Sequence, residues 1–318
     1  MTIRHKDTPP IALIGCFLML VQSAAAGNDQ LDPVFVDQKF KVETTRGLVY
    51  AKGLSRDGKT MDLTLDVYEP TSDSRQRQPA MILLHGGGLR VGNSAVKPMV
   101  QAAWYFASRG WVCFSINYRL TKDRGMFPAQ WKRNRPSYSA TRDAKAAVRW
   151  IRANAEKYRI DADQITAYGG SAGAYLALAL GISDEKDYRD ELSLIQDPTL
   201  KTTNLGQSSK VQAVVNFWGA PLMVDNLELI DGRRRYDRAD APVITFHGTK
   251  DARVDYQNAV RLKKIYDELG LPLELHTLDA AHAVWQEKID NKPMNHWAAR
   301  FIARHLKLTV IDNTRGGD

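Results

Sequence analysis

Short apolar runs alternate along the chain with segments of helical periodicity. The runs most typical of buried strands are residues 81–84, 111–116, 211–217 and 243–246. In residues 143–158 the apolar side chains share one helical face, at Ala147, Trp150, Ile151 and Ala155. Because strands alternate with helices, the pattern predicts an α/β fold with a mostly parallel central sheet and helices on both faces.

The length and composition are typical of one folded domain. The chain has 318 residues, of which 44% are hydrophobic, and a chain of this size can bury a large core. We expect the domain to span residues 40–308, after an N-terminal extension at residues 27–39. The chain ends in a polar, glycine-rich stretch, and we expect residues 309–318 to form a flexible tail.

Residues 1–26 have the layout of a secretory signal peptide. Basic residues precede an apolar stretch at residues 11–21, and small residues ending at Ala26 follow it. The stretch is shorter than the about 20 residues that a membrane-spanning helix needs. We therefore expect cleavage after Ala26, no stable membrane span, and a periplasmic or secreted protein. Residues 13–16, which end in a cysteine, leave a lipoprotein as the alternative.

A glycine-rich turn at residues 169–173 joins a predicted strand at residues 164–168 to an Ala/Leu-rich helix at residues 172–180. Ser171 lies at the apex of this turn, and the flanking glycines have no Cβ to hinder a tight bend. The serine hydroxyl is then exposed beside a helix N-terminus, where the N–H of Ala172 can stabilise an oxyanion. A plain tight turn and a phosphate-binding loop stay open as alternatives.

A serine nucleophile needs a base, a carboxylate and further oxyanion donors, and candidates for each follow predicted strands. Three glycines come directly after His85, and we predict that the N–H groups of Gly87 and Gly88 donate to the oxyanion. Asp251 and His282 each lie just past the end of a later strand. The chain order of serine, aspartate and histidine is the one that this strand-turn-helix arrangement uses.

The carboxylate has an alternative in the sequence. Asp255 lies four residues after Asp251 and can equally be an exposed loop residue or a helix cap. We favour Asp251 because it is closer to the strand end, where a buried carboxylate can meet the Nδ1 atom of a histidine.

Several motifs together resemble α/β-hydrolases of the bacterial carboxylesterase type, near the hormone-sensitive-lipase-like esterases and the feruloyl- and acetyl-esterase branch. They are residues 65–70, 85–88, 117–120, 127–130, 143–154, 169–173, 247–251 and 281–282. The resemblance implies an α/β-hydrolase fold and ester hydrolysis without a cofactor. The catalytic residues that it implies are the nucleophile Ser171, the base His282 and the acid Asp251. The oxyanion donors that it implies are Gly87, Gly88 and Ala172.

The chain carries a net charge of +8, and part of this excess is clustered. Residues 119–138 contain six Lys and Arg but a single Asp, with aromatic residues between them. Because this segment follows a predicted strand, we expect it at the catalytic edge, where it can attract an anionic or glycan ester. A solvated basic loop is the alternative. The candidate substrate-binding residues are Trp131, Arg133, Arg135 and Trp218.

We therefore expect an exported serine carboxylesterase that acts on short-acyl or carbohydrate-linked esters. Residues 218–241 form a short connection, which argues against a large lid. No recognised nucleic-acid-binding module accompanies the basic residues, and no spacing of Cys, His or acidic residues is typical of a metal site. The expected partner is a small-molecule or glycan ester, and the oligomeric state stays open. A serine peptidase on the same fold and a catalytically silent binding protein are the alternative functions.

Overall fold

The computed structural model describes residues 31–71, 76–123, 125, 127–131 and 135–312. The predicted leader, residues 1–26, lies outside these ranges. The strands are β1 (Val34–Phe35), β2 (Val42–Leu54), β3 (Thr60–Pro70), β4 (Gln78–Leu84), β5 (Val112–Ile116), β6 (Ile160–Gly170), β7 (Ala213–Phe217), β8 (Val243–Gly248), β9 (Leu273–Leu278), β10 (Lys288–Ile289), β11 (Lys292–Pro293) and β12 (Val310–Ile311). The α-helices are α1 (Lys97–Ala107), α2 (Arg135–Ala153), α3 (Ala172–Ile182), α4 (Leu222–Asp231), α5 (Gln257–Leu269) and α6 (Met294–His305). Short 3-10 helices lie at Ala129–Trp131 and Pro198–Thr202.

The central sheet of the described residues has eight strands in the order β2-β3-β5-β4-β6-β7-β8-β9. From β5 to β9 every neighbouring pair is parallel, whereas β2 and β3 extend the edge with antiparallel pairing. The predicted α/β architecture with a mostly parallel sheet is confirmed. The carboxyl ends of β4, β6, β8 and β9 meet at one edge, so the loops that follow these strands are brought together there.

Both faces of the sheet are covered by helices, as predicted. Successive strand residues point to opposite faces, so Ala80, Ile82 and Leu84 of β4 join one core while Met81 and Leu83 join the other. Helices α2, α3, α4 and α5 contribute to the first core, and α1 and α6 to the second. No helix in the described part of the chain is both long and apolar enough to cross a membrane.

The two ends of the described chain pair with each other. Val34 lies opposite Val310 in a parallel pair of short strands, and Phe35 lies opposite Ile311. The N–H of Val34 donates to the carbonyl of Thr309 at 2.9 Å. The beginning of the predicted flexible tail is therefore held by backbone hydrogen bonds, which corrects the prediction for residues 309–312, while residues 313–318 lie outside the described residues.

A buried ion pair connects the loop after β5 to helix α2. The guanidinium of Arg119 contacts the Asp143 carboxylate at 2.6 Å, and the Arg119 backbone N–H donates to the same carboxylate at 2.8 Å. Both side chains are at most 3% exposed. Arg119 belongs to the basic cluster recognised in the sequence, but its charge is neutralised inside the protein. It is therefore not available to attract an anionic substrate.

Replacing Asp143 by asparagine is expected to lower the free energy of unfolding by about 3–5 kcal/mol, because the buried Arg119 cation loses its counter-charge. Urea unfolding followed by tryptophan fluorescence measures this loss. The matched control, Asp62→Asn, removes the partner of the exposed Lys52 at 2.7 Å and is expected to cost less than about 1 kcal/mol. Equal losses in the two variants would contradict a structural role for the buried pair.

Candidate active site

Ser171 lies in a strained turn between β6 and α3. Its φ of 55° and ψ of −122° are unusual for a residue with a side chain, and such strain concentrates at functional sites. The turn is tight enough to require glycine on both sides. A Cβ on Gly169 would lie 2.3 Å from the carbonyl carbon of Gly173, and one on Gly173 would lie 2.0 Å from the Leu84 oxygen.

The Ser171 hydroxyl faces a histidine instead of capping the helix that it precedes. Ser171 is the N-cap residue of α3, yet its side chain makes no capping hydrogen bond. Its Oγ atom lies 3.0 Å from Nε2 of His282. The first N–H groups of a helix, including that of Ala172, have no acceptor within the helix. A helix N-terminus thus lies directly beside the hydroxyl.

His282 connects Ser171 to a buried carboxylate. Its Nδ1 atom lies 2.7 Å from Oδ2 of Asp251. Because an ionised carboxylate can only accept, Nδ1 carries the hydrogen, and Nε2 is left to accept the hydroxyl proton of Ser171. The structure thus brings together all three residues that the sequence predicts as catalytic, with His282 within hydrogen-bonding distance of both Ser171 and Asp251.

The surroundings of Asp251 keep it ionised and fixed. Its Oδ1 atom accepts hydrogen bonds from the backbone N–H groups of Arg253 at 2.8 Å and Val254 at 2.9 Å. Burial raises the pKa of the Asp251 carboxyl, but the hydrogen bonds from Val254 and His282 outweigh it, and the pKa lies below its usual value. Asp255 is exposed, and its carboxylate accepts instead from the N–H of Gln257 at 2.9 Å. The geometry favours Asp251 over Asp255.

The glycine loop after β4 lies directly against the Ser171 turn. A Cβ on Gly86 would lie 2.9 Å from the carbonyl oxygen of Gly170 and 3.5 Å from the Cβ of Ser171. Gly87 and Gly88 both have positive φ, of 108° and 62°, which favours glycine at each position. The predicted oxyanion donors are therefore on the loop next to the serine, in a backbone conformation that their residue type permits.

Two aromatic rings hold this glycine loop. The buried ring of His85 donates from Nδ1 to the Gly86 carbonyl at 2.7 Å. The hydroxyl of Tyr118 donates to the His85 carbonyl at 2.6 Å, and the two rings stack at 4.3 Å. Burial lowers the pKa of His85, so its ring is neutral at neutral pH. His85 thus supports the loop and lies outside the hydrogen-bonded chain of Ser171.

The structure corrects two of the predicted substrate contacts. Trp131 is 1% exposed, and its ring packs 5.2 Å from Tyr138 and 5.0 Å from Tyr188 in the core. A ring with both faces in the core cannot stack on a substrate. Trp218 is also fully buried, and its ring lies edge-on to the His282 ring at 6.2 Å. It therefore packs beside the histidine inside the protein.

The other two predicted substrate contacts are Arg133 and Arg135. Arg133 and the side chain of Arg135 lie outside the described residues. Within the described part of the chain, no group of three or more His, Cys, Asp and Glu side chains is placed to hold a metal ion.

Trp285, which the sequence interpretation missed, lies next to the serine turn. Its ring is partly exposed and would lie 2.5 Å from a Cβ on Gly170. It packs edge-on against Trp218 at 4.7 Å. A depression of about 350 Å³ lies beside this ring, lined by Lys97, Pro98, Gln101, Ala283, Val284, Trp285, Gln286 and Glu287. The sequence signal was a tryptophan three residues after His282, on a loop at the catalytic edge.

Solved structures of esterases share this fold. The chain is similar to native Est2, an esterase from the Planctomycetes species Thermogutta terrifontis, with a TM-score of 0.60 and 24% identity over 87% of this chain and 95% of that one. The same esterase phosphorylated by paraoxon matches with a TM-score of 0.59 and 25% identity, over 83% and 91% of the two chains. These likenesses agree with the predicted α/β-hydrolase fold.

Relatives from Mycobacterium tuberculosis match over shorter segments. The esterase LipC is 26% identical over 223 residues, which are 61% of this chain and 50% of LipC. The probable carboxylic ester hydrolase LipM is 25% identical over 225 residues, 61% of this chain and 46% of LipM. The chain thus spans about half the length of these relatives.

The family model BD-FAE matches residues 65–235, which is more than half of the chain. The matched segment contains the glycine loop after β4 and the Ser171 turn, while Asp251 and His282 follow it. The predicted resemblance to α/β-hydrolases of the bacterial carboxylesterase type is confirmed. The chain belongs to the BD-FAE family of α/β-hydrolases.

Proposed function

We propose that this protein is a serine carboxylesterase that works through an acyl-enzyme intermediate. One observation carries the proposal: a continuous hydrogen-bonded chain from Ser171 through His282 to Asp251, with distances of 3.0 and 2.7 Å. A serine hydroxyl is a weak nucleophile until an adjacent base accepts its proton, and this chain supplies the base and its carboxylate. Esterases among the relatives and solved structures support the same chemistry.

In the acylation step, the Ser171 oxygen attacks the ester carbonyl carbon while Nε2 of His282 accepts the hydroxyl proton. The carbonyl oxygen becomes an oxyanion in the tetrahedral intermediate. When the intermediate collapses, His282 returns the proton to the departing alcohol, and the acyl group stays on Ser171. A water molecule then gives a proton to the same Nε2 atom and attacks the acyl carbon. When this second intermediate collapses, His282 returns the proton to the Ser171 oxygen and the acid is released.

The developing oxyanion needs fixed hydrogen-bond donors, and we assign the N–H groups of Gly87, Gly88 and Ala172 to this task. The N–H of Ala172 lies at the start of α3, where the helix dipole also favours negative charge. Donors of this kind act mainly in the transition state, because they are placed where charge develops. Asp251 keeps the hydrogen on Nδ1 of His282 and stabilises the imidazolium that forms.

We further propose that the substrates are short-acyl or carbohydrate-linked esters and that the protein is exported. The connection between β7 and β8 holds a single helix, α4, in the described structure. Such a short connection argues against a large lid of the kind that binds long acyl chains. The export proposal rests on the sequence of residues 1–26. Arg133 and Arg135 stay proposed contacts for an anionic ester.

The surface beside Trp285 supports a polar alcohol group on the substrate. The depression combines one aromatic ring with donors and acceptors on Gln101 and Gln286 and with opposite charges on Lys97 and Glu287. Such a lining suits a neutral ligand with many hydroxyl groups, whose C–H faces can pack on the ring. Part of its lining, from Ala283 to Glu287, directly follows His282 in the chain.

Trp285→Ala is therefore expected to raise KM for an acetylated sugar about tenfold and to change KM for phenyl acetate by less than about threefold. Initial-rate kinetics on the two substrates measures this difference. Trp104→Ala is the matched control, because Trp104 is 45% exposed on α1 and does not line the depression. Equal effects of Trp285→Ala on both substrates would contradict a sugar contact.

The proposed function is tested by a hydrolysis screen of the purified protein. The substrates are p-nitrophenyl acetate, butyrate and octanoate, an acetylated sugar, a feruloyl ester and a p-nitroanilide amide. We expect the short esters and the acetylated sugar to be hydrolysed fastest, with no rise in rate when a substrate passes its solubility limit. Faster cleavage of the amide, or no ester hydrolysis above that of Ser171→Ala, would contradict the proposal.

A further inference from the structure

A second histidine, His247, lies behind the carboxylate that His282 contacts. It belongs to β8, and its side chain is fully buried. Its Nε2 atom is 2.9 Å from the carbonyl oxygen of Val254 and 3.3 Å from Oδ2 of Asp251. Since a carbonyl can only accept, Nε2 of His247 carries a hydrogen. The same Nε2 atom is thus close to the carboxylate oxygen that accepts from His282.

The hydrogen bond from His247 closes the turn that holds Asp251. The N–H of Val254 donates to Oδ1 of Asp251 at 2.9 Å, while the carbonyl of Val254 accepts from His247 at 2.9 Å. Val254 is thus held on both sides of its backbone. If the second bond were lost, the turn could move and Asp251 would lose a donor that fixes its orientation.

We propose that His247 is a positioning residue for catalysis: its Nε2–H group holds the turn from Asp251 to Val254 and orients the carboxylate toward His282. The inference rests on the proposed function, because it depends on Asp251 acting through His282. His247 itself contacts neither the serine nor the position of a substrate ester. It acts through Asp251.

The charge state of His247 fits this task. Burial is the largest influence on its ring and lowers its pKa, although the Val254 carbonyl and Asp251 oppose the shift. The titratable groups that face it are Asp251, His282 and, edge-on at 5.8 Å, the ring of Tyr256. A neutral ring donates one hydrogen bond without cancelling the charge of Asp251. A cationic ring would compete with His282 for that carboxylate.

The unprotonated nitrogen of His247 also agrees with a fixed neutral tautomer. Its Nδ1 atom is buried and has no hydrogen-bond partner among the residues that the structure describes. In the Nε2–H tautomer, Nδ1 is an acceptor, whereas in the other tautomer it would be an unpaired buried donor and Val254 would lose its hydrogen bond. The site therefore selects the tautomer that can hold the turn.

The test compares His247→Gln with His247→Leu. Glutamine can place an amide N–H near the position of Nε2, whereas leucine fills the space without a donor. We expect His247→Leu to lower kcat by at least about tenfold, but by less than the about 10⁴-fold that loss of the aspartate function costs. We expect KM to stay within about threefold of the wild-type value and His247→Gln to recover most of kcat.

The pH profile separates positioning from a general loss of stability. A displaced carboxylate stabilises the protonated base less, so the acid limb of kcat/KM is expected to move to lower pH in His247→Leu and to stay in place in His247→Gln. The matched control is His276→Leu, because His276 stacks on Phe246 at 4.9 Å and bonds to Glu274, away from the serine. It is expected to leave the limb unchanged.

A second measurement determines the tautomer directly. Nitrogen-15 NMR of histidine-labelled wild-type protein is expected to show a buried, neutral ring in the Nε2–H tautomer at pH 8, assigned to His247 by its loss in His247→Gln. An unchanged acid limb in His247→Leu, a glutamine variant as impaired as the leucine variant, or an Nδ1–H tautomer would overturn the proposal. Failure of the proposed function is distinguishable, because wild-type protein would then hydrolyse esters no faster than Ser171→Ala.

Discussion

Replacing Ser171 by alanine is expected to lower kcat for a short-acyl ester about 10⁶-fold, the size of effect seen when a serine hydrolase loses its nucleophile. The Oγ atom lies 3.0 Å from Nε2 of His282 and makes no helix-capping hydrogen bond. Its removal therefore takes away the nucleophile but no hydrogen bond that caps α3. Initial rates on p-nitrophenyl acetate measure the loss, and thermal unfolding shows whether the fold is kept.

The matched control is Ser183→Ala, at the other end of α3. Ser183 is the C-cap residue of α3, whereas Ser171 is the N-cap residue, and its hydroxyl donates to the carbonyl of Ala179 at 2.6 Å. It is expected to keep kcat within about threefold of wild type. If Ser171→Ala retained activity within tenfold of wild type, Ser171 would not be the nucleophile.

The second large effect is expected at Asp251, where asparagine should lower kcat about 10⁴-fold. An amide cannot accept on both of its polar atoms, so Asn at this position competes with the hydrogen bonds that Arg253 and Val254 donate or with the one from His282. His282 then takes up the wrong tautomer. Steady-state kinetics at neutral pH measures the loss.

Asp255→Asn is the control that the sequence itself suggests. Asp255 is exposed and accepts from the N–H of Gln257, a bond that asparagine can keep through its carbonyl oxygen. We expect kcat to change by less than about threefold. A larger loss at Asp255 than at Asp251 would overturn the choice between the two acids.

The sequence predicted those features that glycines and apolar periodicity specify locally. The turn around Ser171 was recognisable because Gly169 and Gly173 mark a place where strand, turn and helix backbones must come very close. Asp251 and His282 were recognisable as polar residues just past strand ends, which a parallel sheet brings to one edge. Because all three residues follow strands of this sheet, their meeting at one edge was predictable as well.

Features that depend on contacts between distant residues were not predictable in this way. Trp131 and Arg119 lie in a polar, basic stretch that favours an exposed loop, yet Trp131 packs in the core and Arg119 pairs with Asp143. Nothing local in the sequence indicates either partner. The pairing of Val34 with Val310 likewise joins residues at the two ends of the described chain, beyond the reach of periodicity.

The turn that supports Asp251 could be predicted only in part. In the sequence, His247 precedes a glycine at the end of an apolar run, which indicates a loop-supporting ring, but the sequence does not show which groups it contacts. The contact with Val254 depends on how the chain reverses after Asp251. The same holds for Trp285, whose closeness to the serine turn follows from the path of the His282 loop.

The most direct test of Ser171 as the nucleophile is covalent labelling with paraoxon, read by intact mass and by peptide mapping. We expect one diethylphosphoryl group per chain, attached to the peptide that contains Ser171, with Ser171→Ala unlabelled and Ser183→Ala labelled as the wild type. Labelling should also slow sharply in His282→Ala, because the hydroxyl loses its base. A protein that stays unlabelled, or one that carries the group on another residue and keeps it in Ser171→Ala, would contradict the proposed catalytic centre.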